Sequence, residues 1–533
     1  MLTLRPYQNN LLNEAITCSK SHQRIVVQLP TGGGKSPIQA TLALRYLSKH
    51  GGNRSVLLLV DRGKLLSQMK NTMQSWGVQS ISIIDANTTN PRPAQLYIAM
   101  VETLARRIDK PYFAHLMQSV GMIVVDEAHM GNFTKLLQHP LFNSTLTYGF
   151  TATPIFASNK FPMNKLYQTI VVGKQVGELI ADGNLVQNYT LASKLAISLD
   201  QLTIRNGKID DEQQGTLLSK QIYVTEVVNQ YEHWALGKKA MVYNANKSHN
   251  KIVCNEFRAR GFDCVAVDDD TPENEREKVL EWYEATPNAI LCNVGLYTKG
   301  FDEPTIECII QNKKTLSLPL YLQMVGRGGR PCIFPDGRKK VAFINIDMHR
   351  NIDTHGDWNW DRDWKAMFFG AKVKKDGVAP VKTCPKCECI VPASTRECSG
   401  LYMSGGLSLF EPEPCGYIWE KTEAEIREEI AVQLQLETKN VSIDTLISSN
   451  QFGHLSGWQI AKQLVKDTAR IGVGAFFICP DGIGYAQIHN ECVSKVKEYR
   501  TKGGQVKVND YMKDLIRTEV ISAIKLKFPE FEI

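Results

Sequence analysis

The stretch Leu29-Pro30-Thr31-Gly32-Gly33-Gly34-Lys35-Ser36 constrains this chain more than any other. Its glycines let successive backbone N–H groups converge on phosphates without a Cβ in the way, and the helix expected after it points its positive end at the same place. Lys35 adds a point charge for the β and γ phosphates, and Ser36 offers a hydroxyl to Mg²⁺. About ninety residues later the apolar run Ile123-Val124-Val125 leads into Asp126-Glu127-Ala128-His129, which reads as a buried strand delivering Asp126 to the same ion and Glu127 to an attacking water. The pair predicts hydrolysis of a nucleoside triphosphate. Pro37 runs against the ideal cradle: proline lacks an N–H, so one α-phosphate donor should be missing. The expected cost is on the order of 1 kcal/mol of nucleotide affinity, while the fixed φ of Pro37 still suits a first helical turn.

The chain is 533 residues long, enough for three or four domains with real cores. Its 43% hydrophobic and 22% charged content is that of an ordinary globular protein, and its net charge of +7 is compatible with a nucleic-acid partner without requiring one. No apolar run is long enough to span a membrane and the N-terminus lacks an export pattern, so the expected location is the cytoplasm, or the host cytoplasm for a phage-encoded chain. The thirteen cysteines then read as reduced thiols and metal ligands rather than disulfides.

Apolar strand-like runs alternate with helical patterns in two successive blocks, which predicts two α/β domains with mainly parallel sheets. The first block places strands near 25–29, 56–60, 96–100 and 123–126; the second places them near 240–244, 264–267, 289–293, 308–311 and 341–346. The boundary is expected near residue 188.

In this order the motifs resemble those of the superfamily 2 helicases, in the branch of XPB-like, UvsW-like and restriction-subunit-like translocases, and the resemblance covers residues 1–370. Leu4-Arg5-Pro6-Tyr7-Gln8 is similar to the adenine-reading segment, with Arg5 and Gln8 at the nucleotide. Asp61-Arg62 and Glu102-Thr103 match segments that touch the nucleic-acid backbone, and Thr151-Ala152-Thr153-Pro154 matches the coupling motif. In the second block, Val242-Tyr243-Asn244 resembles the fourth motif. The run from Asn293 to Pro304 resembles the fifth, with Thr298 toward nucleic acid and Gly300 and Asp302 toward the nucleotide; Lys299 stands where the family usually has Glu. Gln323-Met324-Val325-Gly326-Arg327-Gly328-Gly329-Arg330 resembles the arginine-finger motif. The resemblance implies that Arg327 and Arg330 reach the γ phosphate when the lobes close, that His129 and Gln323 bond across the cleft, and that the lobes are RecA-like domains at 1–187 and 188–372. It also implies an ATP-driven motor on nucleic acid, preferably DNA in duplex, forked or branched form, acting in replication, recombination or repair. Alternatives are a motor subunit of a restriction or defence complex, an RNA helicase, and a non-catalytic nucleic-acid-binding scaffold.

Past a basic, turn-rich linker at 372–380 come Cys384-Pro385-Lys386-Cys387, Cys398 and Cys415. A Cys-x-x-Cys puts two thiolates on one turn at the reach of tetrahedral Zn²⁺, and a second pair would close a structural site. Sixteen residues separate Cys398 from Cys415, so that knuckle carries an inserted loop. Cys389 is a spare that could replace Cys387 or Cys398. The expectation is a zinc ribbon over 380–420, with Lys382, Lys386 and Arg396 available for phosphates. Residues 422–533 predict a mainly helical accessory domain that supports binding or recruits a protein partner. The expected cofactors are ATP, Mg²⁺ and Zn²⁺.

Overall fold

The computed structural model describes residues 3–61, 63–156, 162–205, 207–297, 301, 303–370, 380–400 and 414–419. The expectations placed on Arg62, Thr298, Gly300, Asp302, most of the 372–380 linker and residues 422–533 lie outside the described residues. Among the described residues, no helix is long and apolar enough to cross a membrane.

The first lobe is a seven-stranded sheet: β1 Arg24–Gln28, β2 Ser55–Val60, β3 Ile81–Ile84, β4 Leu96–Met100, β5 Val120–Val125, β6 Leu146–Thr151 and β7 Thr169–Val172, in the order β3-β4-β2-β5-β6-β1-β7. Every pairing is parallel. The continuous apolar runs of β2 and β5 are explained by this placement, because helices cover both faces of a parallel sheet and each residue of its central strands must be buried. The predicted strands fall on β1, β2, β4 and β5. The four-residue β3 and β7 and the longer β6 went unread because β3 and β7 are short and the run of β6 is broken by Thr147 and Gly149, and pairing to neighbours rather than local composition makes them strands.

The second lobe begins with β8 Gln187–Ala192, followed by the small antiparallel pair β9 Ile204–Arg205 and β10 Lys208–Ile209. Then come β11 Ala240–Asn244, β12 Cys264–Val267, β13 Ile290–Asn293, β14 Cys308–Asn312 and β15 Ala342–Asp347. The sheet order is β12-β13-β11-β14-β15-β8, again parallel throughout. All five predicted strands of this lobe are present within a residue or two. β8 was missed because its polar Asn188 and Thr190 are buried, bonded to the carboxylate of Asp357 at 2.8 and 2.9 Å.

A segment after β15 ties the lobes together. Trp358 packs edge-on against Phe343 of β15, and the short helix Trp364–Phe368 lies against β7 of the first lobe. Between them the Trp364 indole N–H donates to Gln175 Oε1 at 3.0 Å and Gln175 Nε2 donates to the Arg362 carbonyl at 3.1 Å. The Arg362 guanidinium caps the carbonyls of His355, Asp357 and Trp360 at 3.0, 2.9 and 2.8 Å, so this strap has a fixed shape although it contains little regular structure. Last, β16 Val381–Thr383 and β17 Ile390–Pro392 form an antiparallel pair, and Cys389 bridges Leu191 of β8.

Candidate functional site

The glycine-rich loop leaves β1 and opens helix α2, Lys35–His50. Gly34 is its N-cap residue at φ 81°, a left-handed conformation that disfavours any side chain. A Cβ there would also stand 2.3 Å from Gln8 Nε2. Helix α1, Pro6–Cys18, braces the loop: the Tyr7 hydroxyl donates to the Gly33 carbonyl at 2.8 Å, and Gln8 Nε2 donates to the same oxygen at 3.2 Å. Gln8, expected to read a base edge, therefore has its amide engaged by the cradle in this arrangement. Arg5 donates to Asn184 Oδ1 at 2.7 Å, linking α1 to the connection between lobes. Pro37 lies within the first turn of α2, where its missing N–H has no intrahelical acceptor to lose.

The acids arrive at the end of β5. Gln39, one turn beyond Lys35 on the same face of α2, donates to Asp126 Oδ1 at 2.9 Å. Burial, and then the neighbouring negative charge of Glu127, push the Asp126 carboxyl up to about 6. Two carboxylates side by side in a half-buried corner are the environment a divalent cation relieves, so Asp126 fits the predicted Mg²⁺ role with Ser36 at the start of α2 beside the cradle. Glu127 is a non-glycine residue at φ 49°, a left-handed backbone kept at a functional turn. Its Oε1 lies 3.9 Å from Lys35 Nζ and its Oε2 lies 3.3 Å from His129 Nδ1. His129 Nδ1 is also 2.9 Å from Thr151 Oγ1, which accepts from the Thr153 N–H at 3.0 Å. The residues expected to couple hydrolysis to strand contacts thus form one buried chain from the acid to the end of β6.

The second lobe meets the cradle directly. A Cβ on Gly32 would stand 3.7 Å from Arg330 Cγ, and one on Gly326 would stand 3.1 Å from Thr31 Cβ. The connecting segment touches both sides: Leu185 packs on Gly32, and the Val186 N–H donates to the Gly329 carbonyl at 2.9 Å. Arg327 and Arg330 both donate to the Phe301 carbonyl, Arg330 at 3.2 Å. Gln323 is buried in the helix Leu318–Val325 with its Nε2 unbonded. In this arrangement the His129 Nδ1 faces Thr151 and Glu127, and no hydrogen bond joins His129 to Gln323. Thr103 is half-buried in the helix Val101–Arg107, which directly follows β4.

In the ribbon, Cys384 Sγ lies 3.7 Å from Cys415 Sγ and Cys387 Sγ lies 3.5 Å from Cys398 Sγ. All four sulfurs fall within 4.8 Å of one another. Thiolates at tetrahedral Zn–S distance have edges of about 3.8 Å, so this donor set fits a closed zinc site. The Gly400 N–H donates to Cys398 Sγ at 3.3 Å. Cys389 is not among the four: it faces Gly400, and its carbonyl accepts the Cys384 N–H at 2.9 Å.

Sequence reasoning missed Tyr7, Gln39 and Trp358 at this site. Gln39 was legible as the residue four beyond Lys35, and Tyr7 as the neighbour of Gln8. Trp358 carried no local signal.

Two family models match this chain: residues 1–156 match the type III restriction enzyme res subunit, and residues 220–332 match the helicase conserved C-terminal domain. With the paired parallel sheets, these matches define the class: the chain is an ATP-dependent helicase of superfamily 2. It is 28% identical over 448 residues to a 51.5 kDa protein of a Lactococcus phage (isolate 7-9), a match that takes in 83% of this chain and 89% of that one. It is 27% identical over 356 residues to IRC3 of Saccharomyces cerevisiae, a protein assigned as an ATP-dependent helicase, spanning 61% of this chain but only 49% of IRC3. A solved fragment from Vibrio vulnificus YJ016, described as an HsdR subunit of a type I restriction enzyme, superposes with a TM-score of 0.52 at 17% identity over 71% of this chain and 70% of that one, a likeness of fold.

Proposed function

We propose that this helicase is a DNA translocase of the XPB-like, UvsW-like and restriction-subunit-like branch, remodelling duplex, forked or branched DNA in replication, recombination or repair. The observation that carries the reading is the meeting of Lys35, Asp126 and Glu127 from one lobe with Arg330 of the other around a single glycine-rich loop. The restriction-subunit character of the first lobe favours DNA.

In this reading Lys35 exchanges its Glu127 partner for the β and γ phosphates, and the freed Glu127 orients the attacking water. Thr31, Gly32, Gly33 and Gly34 present backbone to the phosphates, and Ser36 and Asp126 would hold Mg²⁺, which would supply positive charge against the triphosphate. Arg327 and Arg330 leave the Phe301 carbonyl for the γ phosphate as the lobes close, and Gln323 finds its partner in the same step. His129, Thr151 and Thr153 carry the change to Arg62, Thr103 and Thr298 at the nucleic acid, and Gly300 and Asp302 lie at the nucleotide. The working units are 1–187, 188–372, a zinc-bound ribbon at 380–420 and an accessory domain at 422–533 that recruits a protein partner.

The test is ATP turnover with single-stranded, duplex, forked and four-way DNA and with RNA, at fixed salt. Stimulation by duplex or branched DNA is the expected result; stimulation by RNA alone would overturn it. The res-subunit match also favours a second reading, a motor subunit of a restriction or defence complex, which predicts co-purification of a nuclease or methylase.

A further inference from the structure

Behind the arginine turn lies a lysine that no motif includes. Lys340 is 3% exposed, at the root of the hairpin that follows Arg330, where its own N–H donates to the Cys332 carbonyl at 2.9 Å. Its ammonium is surrounded by three backbone carbonyls: Pro304 at 2.8 Å, Gly328 at 2.7 Å, and Ile306. Three donors meet three acceptors, so the group is satisfied in full. Pro304 and Ile306 follow the segment that supplies Phe301, and Gly328 lies between Arg327 and Arg330. On its other side the turn is wedged by aromatic rings: a Cβ on Gly329 would meet Trp358 at 2.4 Å, and one on Gly328 would meet Phe343 at 2.2 Å.

We propose that Lys340 is a positioning residue for ATP hydrolysis, pinning the Gly328 carbonyl to the Pro304–Ile306 segment so that Arg327 and Arg330 stay aimed at the γ phosphate as the lobes close. The proposal rests on the reading of those two arginines as γ-phosphate groups. A neutral side chain in place of Lys340 leaves the Gly328 and Ile306 carbonyls without the ammonium and Pro304 with only the weak Cys332 thiol donor at 3.5 Å, so the link between the arginine turn and the Pro304–Ile306 segment is lost. Arginine in its place keeps the charge and the donors.

A pH dependence follows from the same contacts. Burial pushes the Lys340 ammonium down to about 7; Cys332, Glu307 and Glu303 pull it back up, and Arg330 pushes it down. Glu307 also faces Lys238 at 3.3 Å and Arg338 at 3.8 Å. Losing the proton removes one of three donors, so turnover should fall as pH rises through about 7. Stability should move the other way in that window, because the unfolded chain keeps a proton the folded chain has released.

The experiment compares full-length Lys340→Met and Lys340→Arg with the wild type in nucleic-acid-stimulated ATP turnover between pH 6 and 9, with ADP affinity measured alongside. The expected result for Lys340→Met is a loss of turnover of about tenfold or more with ADP affinity within about twofold. Lys340→Arg should stay within about threefold of wild type and lose the alkaline decline. Turnover within twofold in Lys340→Met, or turnover and ADP affinity falling together, would overturn the proposal. Should Lys340→Met fail to fold, Lys340→Arg decides: a decline above pH 7 unchanged from wild type would sink it. Arg330→Ala run in parallel separates the two levels, since full turnover in that variant would remove the arginine reading itself.

Discussion

Glu127 has a backbone φ of 49° and a carboxylate shared between Lys35 and His129, so its position is fixed before any nucleotide arrives. Glu127→Gln keeps the shape and removes the charge proposed to polarise the attacking water. It should bind ATP and DNA while turnover falls about a hundredfold or more, read by steady-state phosphate release; a near-normal rate would remove Glu127 from that role. Gly34→Ala attacks the cradle by geometry alone, since it adds a side chain to a left-handed residue and drives it into Gln8. Strain of this kind costs about 1–3 kcal/mol, so ADP affinity by calorimetry should drop at least severalfold; unchanged affinity would mean that the loop does not hold this conformation when nucleotide is bound.

Among the described elements, the ribbon is the one that the proposed zinc would hold together. The pair β16–β17 is only three residues on each side and buries just Ile390 and Val391 beside its cysteines, a small core that a bound metal would reinforce. Its other support is the bridge from Cys389 to β8, which explains why that cysteine is buried yet stands apart from the other four. Cys384→Ser should reduce bound zinc, measured by metal analysis of the purified chain, and unfold the ribbon while leaving basal ATP turnover within about twofold. Unchanged zinc content would refute the site.

At the scale of the whole molecule, the two sheets are joined by contacts that converge on the cradle. Leu185 and Val186 run from Gly32 to Gly329, and the strap from Trp358 to Trp364 connects the arginine turn to Gln175. Rearrangement at the phosphates therefore reaches both lobes through short, packed connections. In the proposed mechanism a guanidinium from the second lobe acts only when the cleft is shut, so Arg330→Ala should lower stimulated turnover by about a thousandfold while ADP affinity in the first lobe changes little. Equal losses in both would show that Arg330 supports the cradle rather than the transition state.

Most strands of both sheets were legible in the amino-acid order, because buried parallel strands must be continuously apolar and the loop, the acids and the arginine turn need particular residue types at particular spacings. The polar strand β8 was not legible, since Asn188 and Thr190 become strand residues only when Asp357, far along the chain, supplies their partner. Local order likewise determined that Cys384, Cys387, Cys398 and Cys415 could form a ligand set but left Cys389 as a rival, and only the packing of β17 beside β8 separated it from them. Lys340 and Trp358 are the clearest case. Nothing in their neighbourhood marks them, because what distinguishes them is three carbonyls and a glycine turn brought close by the closing of β14 and β15 into one sheet. Spacing along a chain encodes chemistry carried by neighbours in sequence; contacts between distant segments exist only once loop closure and burial have brought them together.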